Sequence, residues 1–97
     1  DQAWWKIERL KPGRYSVELE YAAPDSCSGQ EFNLSVNGKV VLENKVVSSG
    51  GWGKFASSQI GEISIEKPDT DISISPVKNV TAEDLFDLKK LILRKTD

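Results

Sequence analysis

The sequence predicts an all-β, antiparallel β-sandwich. Apolar and polar residues alternate with period two in several short runs, turn signals separate the runs at short intervals, and no long helix-periodic segment lies between them. In RYSVELEYA, Tyr15, Val17, Leu19 and Tyr21 fall on one face while Ser16, Glu18 and Glu20 fall on the other, which makes it the clearest strand. Before it, Trp5, Ile7 and Arg9 alternate with Lys6 and Glu8. Lys11-Pro12-Gly13 supplies a turn, because proline presets φ and glycine permits positive φ, so the two runs read together as a hairpin. Phe32, Leu34 and Val36 lead into Asn37-Gly38, the strongest short hairpin signal, and Val40 to Leu42 return from it. Within Phe55 to Ile65, Ile63 and Ile65 alternate with Ser64 and Glu66, and Ile72 and Ile74 repeat the pattern after the turn at Lys67-Pro68-Asp69.

The C-terminal segment carries two competing signals. Thr81-Ala82-Glu83-Asp84 has a hydroxyl N-cap followed by acids, and Leu85, Leu88 and Leu91 recur at helical spacing. Against a helix, Leu91 and Leu93 flank Ile92 as a strand would, and a sandwich needs a closing strand there. The expectation is one short helical turn near residues 81–86 and then a strand over 87–94.

Composition narrows the function. A chain of 97 residues makes one domain, residues 1–97, and buries about two thirds of its unfolded surface. No apolar run approaches the roughly 18 residues of a membrane span, so no membrane partner is expected. Thirteen basic and fifteen acidic residues leave a net charge of −2, which is no field for a phosphate backbone, so nucleic acid is not expected either. The absence of histidine removes the usual general base, the Ser-His and Cys-His pairs and histidine metal sites. Asp25, Glu83, Asp84 and Asp87 remain as acids, but nothing brings two of them to a defined separation, so no catalytic residue is assigned. Cys27, alone, forms neither an internal disulfide nor a thiolate cluster and reads as an inert small side chain. The sequence has no methionine and opens on Asp1-Gln2-Ala3-Trp4, as a segment cut from a larger protein would. Lys89, Lys90, Arg94 and Lys95 form a local basic patch, read as a solvated face or as partners for nearby acids, with an acidic glycan as the functional alternative.

The stretch SSGGWGKF, Ser48 to Phe55, sets Trp52 among three glycines with Phe55 three residues later. An exposed indole there is a platform for a ligand, whereas a buried one is a plug in the interior. The series PGRYSVELEYAAPDSCSGQEFNLSVNGKVV, then SSGGWGKF, IGEISI and LFDLKKLIL, resembles the accessory β-sandwich of bacterial α-L-fucosidases, sulfatases and related secreted enzymes. That group is similar in turn to the family 6 carbohydrate-binding modules. Each motif alone is weak, and their order along most of the chain carries the resemblance.

The resemblance implies a galactose-binding-like jelly roll that is not itself an enzyme and holds a carbohydrate at one edge or loop end. Trp52 falls on the first aromatic of the family's G-x-W-x-x-W segment and Phe55 on the second, the one whose ring stacks on sugar. Asp25 and Asn79 supply polar loop groups, and Trp4 or Trp5 supplies a third aromatic. These two neighbours point to opposite faces of a strand, so one is expected in the core and the other exposed. Yet the free glycine backbone lets Trp52 turn inward to close the sandwich, which is the favoured reading with the ligand-facing ring as its alternative, and Phe55 is expected in the core. The family's calcium site needs glutamates from a first strand that this sequence lacks, and its aspartate position falls on Asp87 or Lys89. Too few oxygens remain for the ion, so no metal and no cofactor are expected. The implied setting is a secreted, periplasmic or cell-surface bacterial protein with a catalytic domain in the same parent chain. The alternative is a structural packing module without sugar affinity.

Overall fold

The structure, a computed structural model, describes residues 3–77 and 86–96. Alternation becomes two faces most plainly in the second strand. The strands among the described residues are β1 (Ala3–Ile7), β2 (Gly13–Ala22), β3 (Glu31–Val36), β4 (Lys39–Lys45), β5 (Ala56–Ile65), β6 (Thr70–Pro76) and β7 (Asp87–Lys95), with a 3-10 turn at Asp25–Cys27. In β2, Tyr15, Val17, Leu19 and Tyr21 are buried, while Glu18 and Glu20 look outward. Two antiparallel sheets result, in the orders β1-β6-β3-β4 and β5-β2-β7. Phe32, Leu34, Ile72 and Ile74 of the first sheet pack with Val17, Leu19, Tyr21, Ile63 and Ile65 of the second, which makes this an all-β sandwich. Cys27 is buried and is not part of a disulfide.

The expected hairpin of β1 with β2 does not form. β1 pairs with β6, Trp5 opposite Ile72, while β2 pairs with β5 and β7 in the other sheet. The turn signal marks a crossing between sheets. Arg9 takes a positive φ of 60°, Leu10 N–H donates to the Pro68 carbonyl at 2.9 Å, and the Tyr15 hydroxyl donates to the Lys11 carbonyl at 2.6 Å, which fixes the crossover on the core. The β3–β4 hairpin does form, on a turn with φ of 51° at Asn37 and 84° at Gly38, as a type I′ turn requires. The Asn37 side chain accepts from Asp71 N–H at 2.9 Å and ties that tip to β6. Of the helical turn expected near residues 81–86, only Phe86 lies among the described residues, and it is not helical. The closing strand forms over Asp87–Lys95.

The flank where β4 meets β5 depends on one glycine. Gly61 has φ +142°, and a Cβ there would stand 2.9 Å from Leu42 Cδ2. Beside it the β2–β5 register shifts between Val17 and Glu18, and Asn44 Nδ2 donates to the Ile60 carbonyl at 2.9 Å, so the two sheet edges close on each other. Gly61→Ala is expected to destabilise the domain by about 1–3 kcal/mol, from strained backbone and a displaced Leu42. Urea denaturation measures it, and an unchanged midpoint would show that the bulge tolerates a side chain.

The outer face of β5-β2-β7 is laced with charge. Arg94 reaches Glu18 at 3.3 Å, Lys89 and Lys90 both reach Glu20 at 3.8 Å, and Arg14 reaches Glu62 at 3.2 Å. Three members of the basic patch thus serve as partners for acids on β2. Such exposed pairs contribute about 0–1 kcal/mol each and orient the side chains more than they hold the fold.

Candidate functional site

The glycine-rich loop closes one end of the sandwich, and its stems are fastened to the end of β2. After β4 the chain turns Val46 into the core, and Val46 N–H donates to the Gln30 carbonyl at 2.9 Å. Val47 N–H then donates to the Tyr21 hydroxyl at 3.0 Å. Ser49 is the main clasp. Its N–H donates to the Ala23 carbonyl at 2.9 Å, its hydroxyl accepts from Ala23 N–H at 2.9 Å, and that hydroxyl donates to the Lys54 carbonyl at 2.5 Å across the loop. Ser48 accepts from Gly50 N–H at 3.1 Å and donates to Asp25 Oδ1 at 2.5 Å. Gly50, at φ 102°, lets the chain reverse over these clasps.

The loop therefore presents its rings outward. Trp52 is 50% exposed and Phe55 41% exposed, which corrects the favoured expectation that both rings turn inward. The interior at this end is already full. Tyr21, Phe32, Phe86 and Val46 are all buried there, with Phe86 centred 4.6 Å from the Tyr21 ring and 5.3 Å from the Phe32 ring. No room remains for two further rings. Phe55 instead lies under the Lys89 ammonium, 5.3 Å from the ring centroid. Between the two stems a cavity of about 90 Å³ opens, lined by residues that include Tyr21, Val47 and Ala56.

Trp52, Phe55 and Asp25 thus share one loop end, with Asp25 held there by Ser48. Asn79 lies outside the described residues. The adjacent tryptophans part as a strand requires. Trp5 is half-buried against the core, and Trp4 is 60% exposed on the outer face of the four-stranded sheet. β1 belongs to the opposite sheet from β5, into which Phe55 leads, and lies at the far edge of its own sheet from β4, out of which the glycine loop runs. Register places Trp4, Ser73, Ser35 and Val40 in one row across four strands. Ser73 and Ser35 are buried although they point outward, and in the next row Asn33 Oδ1 is buried with no hydrogen-bond partner among the described residues. Large side chains at the two edges thus flank buried hydroxyls in this row. The sequence reading gives no binding role to Ser35, Ser73 or Asn33, whose signal was small polar residues on the outer positions of two strands that prove to be central.

Among the described residues, no three His, Cys, Asp or Glu side chains gather into a metal-holding group. The loop's arrangement suits binding through ring faces and hydroxyls. Its rigidity is testable through Ser49. Ser49→Ala leaves the buried Ala23 N–H without its partner and is expected to cost about 1–3 kcal/mol. A thermal melt reads this as a lowered midpoint. A wild-type melt would mean that water or a neighbouring hydroxyl replaces the clasp.

The chain matches no protein-family model and no curated protein sequence. Solved structures do match in shape. A family 35 carbohydrate-binding module from Clostridium thermocellum superposes with a TM-score of 0.80 at 17% identity, covering 98% of this chain and 70% of that one. An exo-β-1,3-galactanase from Phanerochaete chrysosporium, solved with β-1,3-galactotriose, gives 0.77 at 22% identity, with 96% of this chain matching 21% of that one. A family 35 module described as Xyl-CBM35, in complex with a disaccharide containing glucuronic acid, gives 0.75 at 17% identity over 98% of this chain and 67% of that one. At these identities the likeness speaks for architecture, and the architecture is the two-sheet β-sandwich of the family 35 carbohydrate-binding modules.

Proposed function

We propose that this chain is a non-catalytic carbohydrate-binding domain whose sugar site is the glycine-loop end, with Trp52 and Phe55 as stacking rings and Asp25 among the polar groups. The observation that carries the reading is the exposure of two rings on a loop whose stems are tied to β2 by backbone and serine hydrogen bonds. A pyranose covers an aromatic face with its C–H groups, and rings already held in place lose little freedom on binding. The fold shared with carbohydrate-binding modules supports the same reading. Trp4, in one row with Ser73 and Ser35, offers a second surface of similar chemistry. The resemblance in sequence supports a parent such as a bacterial α-L-fucosidase or sulfatase, exported from the cytoplasm, with a catalytic domain as neighbour.

Calorimetry with soluble xylan, glucuronoxylan and β-1,3-galactan tests the proposal. Dissociation constants between millimolar and micromolar are expected, about −4 to −8 kcal/mol. Silence with every glycan, together with unaltered tryptophan emission, would discard it. A second reading is favoured by Val47 and Val77, which are 59% and 49% exposed near the same end. Together with the two rings they suit an apolar surface that packs on a neighbouring domain. In that case acrylamide would quench Trp52 in the isolated domain but not in the parent protein.

A further inference from the structure

The cavity between the loop stems is uncharged in a chain with 29% charged residues, since every side chain around it is apolar or hydroxyl-bearing. Val47 and Ala56 supply aliphatic wall, and Ser57 and Ser58 supply hydroxyls on the β5 side. At about 90 Å³ it exceeds several times the roughly 10–15 Å³ that admits one water. Tyr21, 2% exposed, contributes a phenol whose oxygen accepts from Val47 N–H at 3.0 Å. The phenol's own proton has no acceptor among the described residues, so a buried donor is left for whatever fills the space.

We propose that this cavity is a subsite for an acetyl substituent on the bound glycan, its carbonyl oxygen accepting from Tyr21 and its methyl group lying against Val47 and Ala56. The proposal rests on the carbohydrate reading of the loop end. A carboxylate would satisfy the phenol but finds no cation in the lining. A bare sugar hydroxyl would also satisfy it, yet would set a polar group against the aliphatic wall. The acetyl group has one strong acceptor and one apolar end, as the lining requires. Phe55 adjoins Ala56 and Trp52 lies on the loop that joins the two stems, so a sugar stacked on either ring would sit beside the opening.

The test uses the whole chain with acetylated xylan and the same xylan after alkaline deacetylation. Calorimetry is expected to give tighter binding of the acetylated polymer by about tenfold. Ala56→Leu fills the cavity from an exposed position and is expected to bring the two affinities together, and Tyr21→Phe is expected to reduce the preference about fivefold or more. Proton NMR with N-acetylglucosamine and with glucose provides the monomeric probe. Equal affinity of wild type for both xylans overturns the acetyl assignment and leaves the carbohydrate reading standing. A preference that survives Ala56→Leu overturns it as well. Failure to bind either polymer or either sugar removes both claims.

Discussion

Replacing Phe86 with alanine is expected to lower the stability of the domain by about 3–5 kcal/mol. Its ring is 3% exposed just ahead of β7 and meets Tyr21 in a tilted contact and Phe32 in an edge contact. Each neighbour comes from a different sheet, so the ring bridges the two layers where the loop end closes. Alanine would leave a cavity between two rings that the strands hold apart. A domain of this size has about 5–15 kcal/mol in total, so the variant would stand near unfolding at ambient temperature. Urea denaturation provides the value. A loss below about 1 kcal/mol would mean that this end collapses around the gap and that Phe86 is not its keystone.

The second large effect is on binding. Trp52→Ala and Phe55→Ala are each expected to weaken glycan binding about tenfold, which is about 1.4 kcal/mol, and together to remove it from the calorimetric range. Both rings are exposed, so the thermal midpoint of either variant should stay within a few degrees of wild type. Trp4→Ala is the control that separates the two surfaces, since it leaves the loop untouched. Should Trp4→Ala alone abolish binding while the loop variants bind normally, the sugar site belongs to the outer face of the four-stranded sheet.

Several parts of this architecture were legible from residues alone. The alternation in β2, the Asn37-Gly38 hairpin and the closing strand depend on local patterns, and all appear where those patterns place them. The opposed directions of Trp4 and Trp5 follow from the pleat. The failures share a cause. A Pro-Gly turn announces a reversal but not whether the chain stays in its sheet, so β1 was assigned to the wrong neighbour. Whether Trp52 and Phe55 enter the interior depends on how many rings already occupy it, and Phe86 and Phe32 reach that spot from positions far away in sequence. Ser35 and Ser73 become neighbours only once β3 lies beside β6. These are questions of assembly, and no window of the sequence contains them.

The central position of β2 between β5 and β7 governs how the chain comes together after synthesis. Its final partner is supplied by Asp87–Lys95, so one side of this largely buried strand stays uncovered until those residues have left the ribosome. With so many distant pairings, refolding should occupy milliseconds to seconds, and a nascent chain stalled before residue 87 should be protease-sensitive throughout.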